Sequence, residues 1–295
     1  MCGLFGIISQ SLVNVGDLNV LIKYSRQRGK DSSGLVIVNN GVYHTYRADY
    51  AIDKLANKIK PIATSLVMGH SRLITSGLSD NQPVVRNDIF VLDNGIVVNH
   101  EDIWKQINVE RNFQIDSEII AALTLVHLAE SQKYDELPKK ILGFCQGVVA
   151  CAIALPKEGI LCLFSNNGSL YIGEKSGDKL FSSEQFPLTV IGCTNIQQIK
   201  EAVFWNIPSS SFAMEIDDYT ERRTNLIPHF VFSANEEKLL QYQKPILKRC
   251  TKCILTDTMP FISFDSKGVC NYCNNYKPRN IPKPKEDLFN LVKPY

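Results

Sequence analysis

The second residue of this chain is a cysteine, in the opening MCGLFGI. If Met1 is removed, Cys2 becomes N-terminal and carries a free α-amine beside its thiol. A thiol with a neighbouring base is an activated nucleophile. A free cysteine has a pKa of about 8.5 and an α-amine one of about 7.7–8.0, so the amine can take the thiol proton near neutrality. The alternative for one cysteine near a chain start is a small buried hydrophobe. Four more cysteines lie near the other end, Cys250 and Cys253 as one C-x2-C pair and Cys270 and Cys273 as another, sixteen residues apart. Each pair can turn two thiolates toward one ion, and four thiolates close a tetrahedron with no open position. That spacing predicts a structural zinc site, with an iron–sulfur centre as the alternative. Cys145, Cys151, Cys162 and Cys193 lie in or beside apolar runs and read as inert buried thiols.

Such groups need strands and turns to hold them. Residues 3–9 read as a strand. A helix is predicted from a cap at Asp17, with Leu18, Leu21 and Ile22 on one face. RGKDSSG (28–34) reads as a glycine-bounded loop, and LVIVNNGVYHTYRA as a hairpin turning at Asn40-Gly41. A short helix at 53–60 ends before Pro61, residues 65–73 and 89–92 read as strands, and 93–99 contains a turn. HEDIWKQI and DSEIIAALTLVHLAES have helical spacing, and a third helix follows at 136–144. Short apolar runs then predict strands in VVACAIAL, ILCLFS, SLYIGE, KLFSS and SFAMEI. Strands, helices, then strands again give an α+β protein with stacked sheets rather than a βαβ repeat. This part occupies residues 2–232. Residues 233–248 read as a polar linker, 249–277 as the four-cysteine module and 278–295 as a Pro- and Lys-rich connector.

The chain has 295 residues, 44% of them hydrophobic, and a formal net charge of +2. That charge gives no electrostatic argument for a nucleic-acid or membrane partner. The longest apolar stretch, GVVACAIAL, has nine residues, against about 20 for a membrane-spanning helix. No basic region precedes an apolar run at the N-terminus, so no secretory signal is read. The expectation is a cytoplasmic protein with reduced cysteines.

Five fragments in order, CGLFGI, RGKDSSG, GHSRLITSG (69–77), DNGIVVN (93–99) and DSE (116–118), resemble the class II glutamine amidotransferase family. This is the N-terminal-nucleophile family whose glutaminase domain occurs in asparagine synthetase and glucosamine-6-phosphate synthase. The resemblance extends over about residues 2–220, with NGSLYIG and FSSE as strands of the second sheet. It implies a four-layer αββα sandwich that hydrolyses glutamine to glutamate and ammonia through a Cys2 thioester, without a cofactor. It implies oxyanion donors in the Asn94 side-chain amide and the Gly95 N–H. It implies that Arg72 takes the substrate carboxylate and Asp116 its ammonium, while Thr75 and Ser76 supply hydroxyl contacts. Arg28 and Asp31 would shape the loop over the site. Three positions depart from the family pattern: Lys30 where a proline is common, Leu73 where an aromatic is, and Asp93 where an aromatic or histidine precedes Asn-Gly. Asp93, on a strand, is expected to point away from the thiol, and His70 to be a satisfied core residue.

DTMPFISFDSKGVCNYCNNY resembles the cysteine-bearing segment that introduces the synthetase part of N-acetyl sugar amidotransferases. Those are ATP-pyrophosphatase-fold enzymes of bacterial surface-sugar biosynthesis. Their S-G-G-x-D-S phosphate loop does not occur in this sequence. ATP and Mg2+ are therefore expected on a synthetase partner or a further domain. The ammonia acceptor would be a sugar, or a carboxylate such as aspartate. Two other readings stay open. One is a non-catalytic regulatory or scaffold module whose zinc segment binds a partner. The other is hydrolysis of a different amide or a peptide by Cys2, which makes less use of Arg72 and Asp116.

Overall fold

The apolar run after Cys2 forms β1 (Gly3–Ile8), buried at every position. A strand buried on both faces needs a covering layer on each side. The computed structural model describes residues 2–39, 41–59, 64–74, 80–131, 133–208, 215–221, 246–277 and 283–294. After β1 come α1 (Val15–Arg28), β2 (Ser32–Asn39), β3 (Val42–Ala48), α2 (Ile52–Ile59) and β4 (Leu66–Arg72). Then follow β5 (Val84–Arg86), β6 (Ile89–Asp93), β7 (Ile96–Val97), α3 (His100–Trp104), α4 (Glu118–Ser131) and α5 (Leu137–Phe144). The last stretch of this unit holds β8 (Gly147–Val148), β9 (Ala150–Leu155), β10 (Ile160–Ser165), β11 (Tyr171–Lys175) and β12 (Asp178–Ser182). It closes with α6 (Gln185–Ile191), β13 (Thr194–Gln198), β14 (Val203–Asn206) and β15 (Glu215–Glu221).

Eight strands form one sheet in the order β13-β11-β12-β1-β4-β2-β3-β15, and five form a second in the order β14-β10-β9-β6-β5. β1 is antiparallel to both neighbours, with Leu4 opposite His70 and Phe5 opposite Ser182. β15 runs parallel to β3 at one edge, which makes the larger sheet mixed.

Alternation along the strands makes the layers. Phe5, Ile7, Leu35 and Val67 face Leu18 and Leu21 of α1, Leu55 of α2 and Leu188 of α6. Leu4, Val36 and Met68 face the other way, onto Phe90, Leu92, Ala152 and Leu163 of the second sheet. Behind that sheet, Val91 and Ile153 meet Ile119 and Ile120 of α4 and Ile141 of α5. Helices, sheet, sheet and helices follow one another, and full burial of each such side chain is worth about 1.5–3 kcal/mol.

Several local expectations change. α1 begins at Val15, because the Asn14 side chain accepts from the Asp17 N–H at 3.0 Å and so caps the helix. Asp17 lies in the first turn instead. Ser32, Ser33 and Gly34 of the expected loop belong to β2. QFPLTVI forms α6, which ends on Gly192 at φ +84°. Its Pro187 sits in the first turn, where the missing N–H costs nothing. Asn40, Lys60, residues 211–214 of SFAMEI and residues 233–245 of the linker lie outside the described residues.

The chain divides into two compact units, Met1–Ile227 and Pro228–Tyr295. Within the second, Arg249 bridges to Thr256 and Phe264 to Cys270, ahead of α7 (Asn271–Asn275). The expected connector contains a helix, α8 (Lys285–Val292). Among the described residues, no helix is long and apolar enough to cross a membrane.

Candidate active site

Cys2 precedes β1 and is half-buried. Its carbonyl oxygen accepts from Arg28 Nε at 2.7 Å, and the Arg28 guanidinium also bonds Glu184 at 2.5 Å. The Cys2 thiol donates to the Leu73 carbonyl at 3.7 Å. Burial raises the thiol pKa above its ordinary value, and the Arg72 guanidinium opposes that shift.

Arg72 ends β4 and is buried. The RGKD segment lies against it: a Cβ on Gly29 would come within 2.4 Å of the Arg72 carbonyl carbon. The Asp31 N–H donates to the Arg72 carbonyl at 3.1 Å, and Asp31 Oδ2 accepts from the Ile74 N–H at 2.9 Å. This is the loop-shaping role expected of Asp31. Burial weakens the hold of the Arg72 guanidinium on its proton, while Cys2, Asp116, Asp80 and Asp31 strengthen it. Arg72 is thus electrostatically linked both to Cys2 and to Asp116. The Arg72 guanidinium bonds the Asp80 carbonyl, and the Asp80 carboxylate bonds the Gln114 N–H.

Asp116 is buried, and its Oδ2 accepts from the Val97 N–H at 2.9 Å. The loop before it is held by Glu118. That carboxylate pairs with Arg86 and accepts from the N–H groups of Asn112 at 2.9 Å and Phe113 at 2.8 Å. Arg86 also donates to the Glu110 carbonyl at 2.8 Å.

Asn94 follows β6. Its N–H donates to Ala150 at 2.9 Å, and its Nδ2 donates to Ser183 Oγ at 3.4 Å. The same Ser183 oxygen accepts from the Leu4 N–H at 2.9 Å, two residues beyond Cys2. Ser183 thus ties Asn94 to the strand that carries the thiol. Gly95 has a steric reason: a Cβ there would lie 2.0 Å from the Val148 carbonyl oxygen.

Asp93 is buried and shares the α4 face of β6 with Ile89 and Val91, while Phe90 and Leu92 face the other sheet. The expectation that it points away from the thiol holds in that sense. Its Oδ1 accepts from the Ala150 N–H at 3.1 Å. Burial, then the neighbouring Asp116, pushes its pKa well above the usual carboxylate range. Its charge still reaches Cys2, as the smallest of the influences on that thiol.

His70 lies fully buried on β4, opposite Leu4. The expected core placement holds, but the expected satisfaction does not: neither ring nitrogen has a hydrogen-bond partner among the described residues. Burial and then Arg72 bring its pKa down to about 3, with the Asp93 backbone pulling weakly the other way.

Cys2, Arg72, Asn94, Gly95 and Asp116 are accordingly gathered at one end of the stacked sheets. Thr75 and Ser76 lie outside the described residues. Sequence reasoning did not single out Ser183, Gln82 or Glu118 as individual side chains. Ser183 and Glu118 stood inside quoted motifs, FSSE and DSE, and each motif's polar residue was its only signal.

In the second unit, the sulfurs of Cys250, Cys253, Cys270 and Cys273 all lie within 4.8 Å of one another. Cys250 and Cys273 are 4.0 Å apart, and Cys253 and Cys270 3.7 Å. Tetrahedral zinc at about 2.3 Å from each sulfur needs sulfurs about 3.8 Å apart. Backbone N–H groups of Lys252, Cys253 and Cys270 point at Cys250 Sγ at 3.4, 3.4 and 3.2 Å, a pattern that favours a thiolate. The donor set fits a closed four-sulfur metal site.

Comparison with known proteins agrees with the fold. Residues 70–189 match the family model described as a glutamine amidotransferase domain. Glutamine–fructose-6-phosphate aminotransferase (isomerizing) of Bartonella quintana is 29% identical over 189 residues, covering 61% of this chain and 29% of that protein. Amidophosphoribosyltransferase of Pasteurella multocida is 24% identical over 248 residues, covering 74% of this chain and 49% of that protein. The chain thus spans half or less of the length of these relatives. The structure of glutamine phosphoribosylpyrophosphate amidotransferase from B. subtilis, complexed with ADP and GMP, shares the fold: TM-score 0.57, 21% identity, 70% of this chain and 47% of that one. Within the first unit, residues 70–189 are thus similar to a glutamine amidotransferase domain, and the relatives are glutamine-dependent aminotransferases and amidophosphoribosyltransferases. The matched segment contains Arg72, Asn94, Gly95 and Asp116, whereas Cys2 and the four clustered cysteines lie outside it.

Proposed function

We propose that this chain hydrolyses glutamine to glutamate and ammonia on Cys2, after removal of Met1. The freed α-amine takes the thiol proton, and the thiolate adds to the side-chain amide carbon of glutamine. The carbonyl oxygen becomes an oxyanion facing the Asn94 amide and the Gly95 N–H, donors worth about 2.7–4 kcal/mol each when lost. The ammonium of Cys2 returns the proton to the leaving nitrogen, the C–N bond breaks and ammonia departs. Water then adds to the thioester, the C–S bond breaks, and glutamate and the thiol are restored. Arg72 holds the substrate α-carboxylate and Asp116 its α-ammonium, with Thr75 and Ser76 as hydroxyl contacts. The observation that supports this reading is that Ser183 Oγ accepts from both Asn94 Nδ2 at 3.4 Å and the Leu4 N–H at 2.9 Å, tying the proposed oxyanion donor to the strand that follows Cys2.

The ammonia goes to an ATP-dependent synthetase domain or subunit, with ATP and Mg2+ bound there. The cysteine-rich segment favours a sugar acceptor of bacterial surface-polysaccharide biosynthesis over an aspartate-like carboxylate. Cys250, Cys253, Cys270 and Cys273 hold a structural zinc ion, which supplies a covalent cross-link to its segment and no chemistry to the reaction. A cytoplasmic setting, where thiols stay reduced, suits both sites.

Intact mass before and after an electrophilic glutamine analogue, with Cys2→Ala alongside, tests the reading. The expected result is loss of Met1 and a single adduct on wild type that is absent from the variant. Retention of Met1 in protein from its native cell would sink it and favour the scaffold reading.

A further inference from the structure

β6 ends at Asp93, and the next two residues are the proposed oxyanion donors. β5 pairs with β6 through Val84 and Val91, Val85 and Phe90, and Arg86 and Ile89. Two more steps in that register would set Pro83 against Leu92 and Gln82 against Asp93. The Gln82 N–H donates to Asn81 Oδ1 at 2.8 Å and not to Asp93, so the backbone ladder stops.

The Gln82 side chain continues it. Its Nε2 donates to the Asp93 carbonyl at 3.0 Å, and its Oε1 accepts from the Asp93 N–H at 2.6 Å. A carboxamide presents a donor and an acceptor in one plane, as a peptide group does. On the opposite edge of β6, Ala150 bonds the Asn94 N–H and the Asp93 side chain. The segment entering Asn94 is therefore gripped from both edges, by a strand on one side and by a single side chain on the other.

Gln82 is itself well held. It is buried, its N–H donates to Asn81 Oδ1 at 2.8 Å, and Asn81 Nδ2 donates to the Ser33 and Ala48 carbonyls at 2.9 and 3.0 Å. A Cβ on Gly34 would lie 1.9 Å from the Gln82 carbonyl oxygen, so β2 presses directly on this residue. Through Asn81 and Gln82, the larger sheet sets the end of a strand in the smaller one.

We infer that Gln82 is a positioning residue for the oxyanion donors, fixing the backbone of Asp93 and through it the Asn94 amide and the Gly95 N–H. The inference rests on the glutaminase reading above. Gln82→Met keeps the side-chain length and removes both hydrogen bonds. The oxyanion exists only after attack, so kcat falls by roughly 10²-fold while KM for glutamine stays within about twofold. Gln82→Glu adds a signature that a packing role would not produce. An ionised glutamate can only accept, whereas a protonated one has a donor and an acceptor again. Its kcat relative to wild type therefore recovers as pH is lowered from about 8 to about 6, the range to which burial raises such a carboxyl. In an Asn94→Ala background, Gln82→Met costs little more, because the donor it aims is gone.

Steady-state glutaminase kinetics on the full chain, with thermal melts as the folding control, decide the matter. A loss confined to kcat, acid recovery of Gln82→Glu and non-additivity with Asn94→Ala support the inference. An unchanged kcat in a folded Gln82→Met, a loss carried by KM, or a pH-independent Gln82→Glu ratio overturns it. If Gln82→Met does not fold, the Gln82→Glu profile decides alone. An inactive wild type overturns the glutaminase reading and this inference with it, whereas an active wild type with an indifferent Gln82 overturns only the latter.

Discussion

Arg28 donates from Nε to the carbonyl oxygen of Cys2 at 2.7 Å. The last turn of α1 therefore fixes the peptide group of the proposed nucleophile, and Glu184 fixes the guanidinium in turn. Arg28→Ala should lower kcat for glutamine hydrolysis by roughly 10–150-fold, the equivalent of about 1.5–3 kcal/mol for a charge-assisted hydrogen bond. Labelling of Cys2 by an electrophilic glutamine analogue should slow in parallel. An unaltered labelling rate would limit Arg28 to a structural part.

Glu118 and Arg86 form a buried ion pair, with Glu118 fully enclosed and Arg86 about 10% exposed. Glu118→Ala leaves a buried guanidinium without its anion and should cost about 3–5 kcal/mol of stability. It also releases the loop leading to Asp116, so KM for glutamine should rise. Arg86→Met combined with Glu118→Leu should recover most of the stability, because a well-packed apolar pair often equals a buried ion pair. It should not recover KM, since the N–H groups of Asn112 and Phe113 stay unanchored. Denaturant melts and substrate titration of the same three proteins separate the two effects.

His70 gives the fold an acid sensitivity. Its native pKa of about 3 lies below the ordinary 6.5. Between those values the unfolded chain takes up a proton that the native ring refuses, so stability falls as pH falls. The slope reaches at most about 1.36 kcal/mol per pH unit. Above about pH 6.5 the effect is absent. Asp93, with its raised pKa, contributes with the opposite sign in the acid range. The measurement is therefore the difference in melting temperature between wild type and His70→Phe across pH 4–8 (about the accessible range for such melts). The variant should gain on wild type as pH falls below about 6.5, and a constant difference would refute the assignment.

The candidate site is read from residue types. Cys2, Arg72, Asn94, Gly95 and Asp116 announce themselves because a thiol, a guanidinium, an amide, a bare backbone and a carboxylate each have a distinct chemistry. The residues that aim them do not. Gln82, Ser183 and Glu118 act through backbone groups of residues far along the chain, and separations such as Leu4 to Ser183 leave no local period. Among elements, long apolar alternations such as β9 and β10 were legible. α6 was not, because Pro187 and β-branched residues mask its helical spacing. Asn14 displaced Asp17 as the cap of α1 because the helix starts one turn earlier, at Val15, where Asn14 Oδ1 takes the Asp17 N–H and leaves Asp17 in the first turn.

The four clustered sulfurs predict a metal content. Purified protein should carry a single zinc ion per chain by elemental analysis, and Cys270→Ser should reduce it. Structural zinc is worth about 10–16 kcal/mol of apparent binding energy at pH 7, so a strong chelator should expose the four thiols together to a thiol reagent. Iron, with visible charge-transfer absorption, would replace the zinc assignment.

The place of β1 has a consequence in time. It lies fourth in an eight-stranded sheet, and one of its edges is completed by β12, some 170 residues later. At about 5–20 residues per second on the ribosome, roughly 10–35 s separate the synthesis of the two strands. Throughout that interval the β12 edge of β1 is unfinished. The bonds from Asn94 to Ser183 and from Arg28 to Glu184 form only afterwards. If Met1 is removed as proposed, the order of translation lets that step come first and closure of the pocket around the new terminus come last.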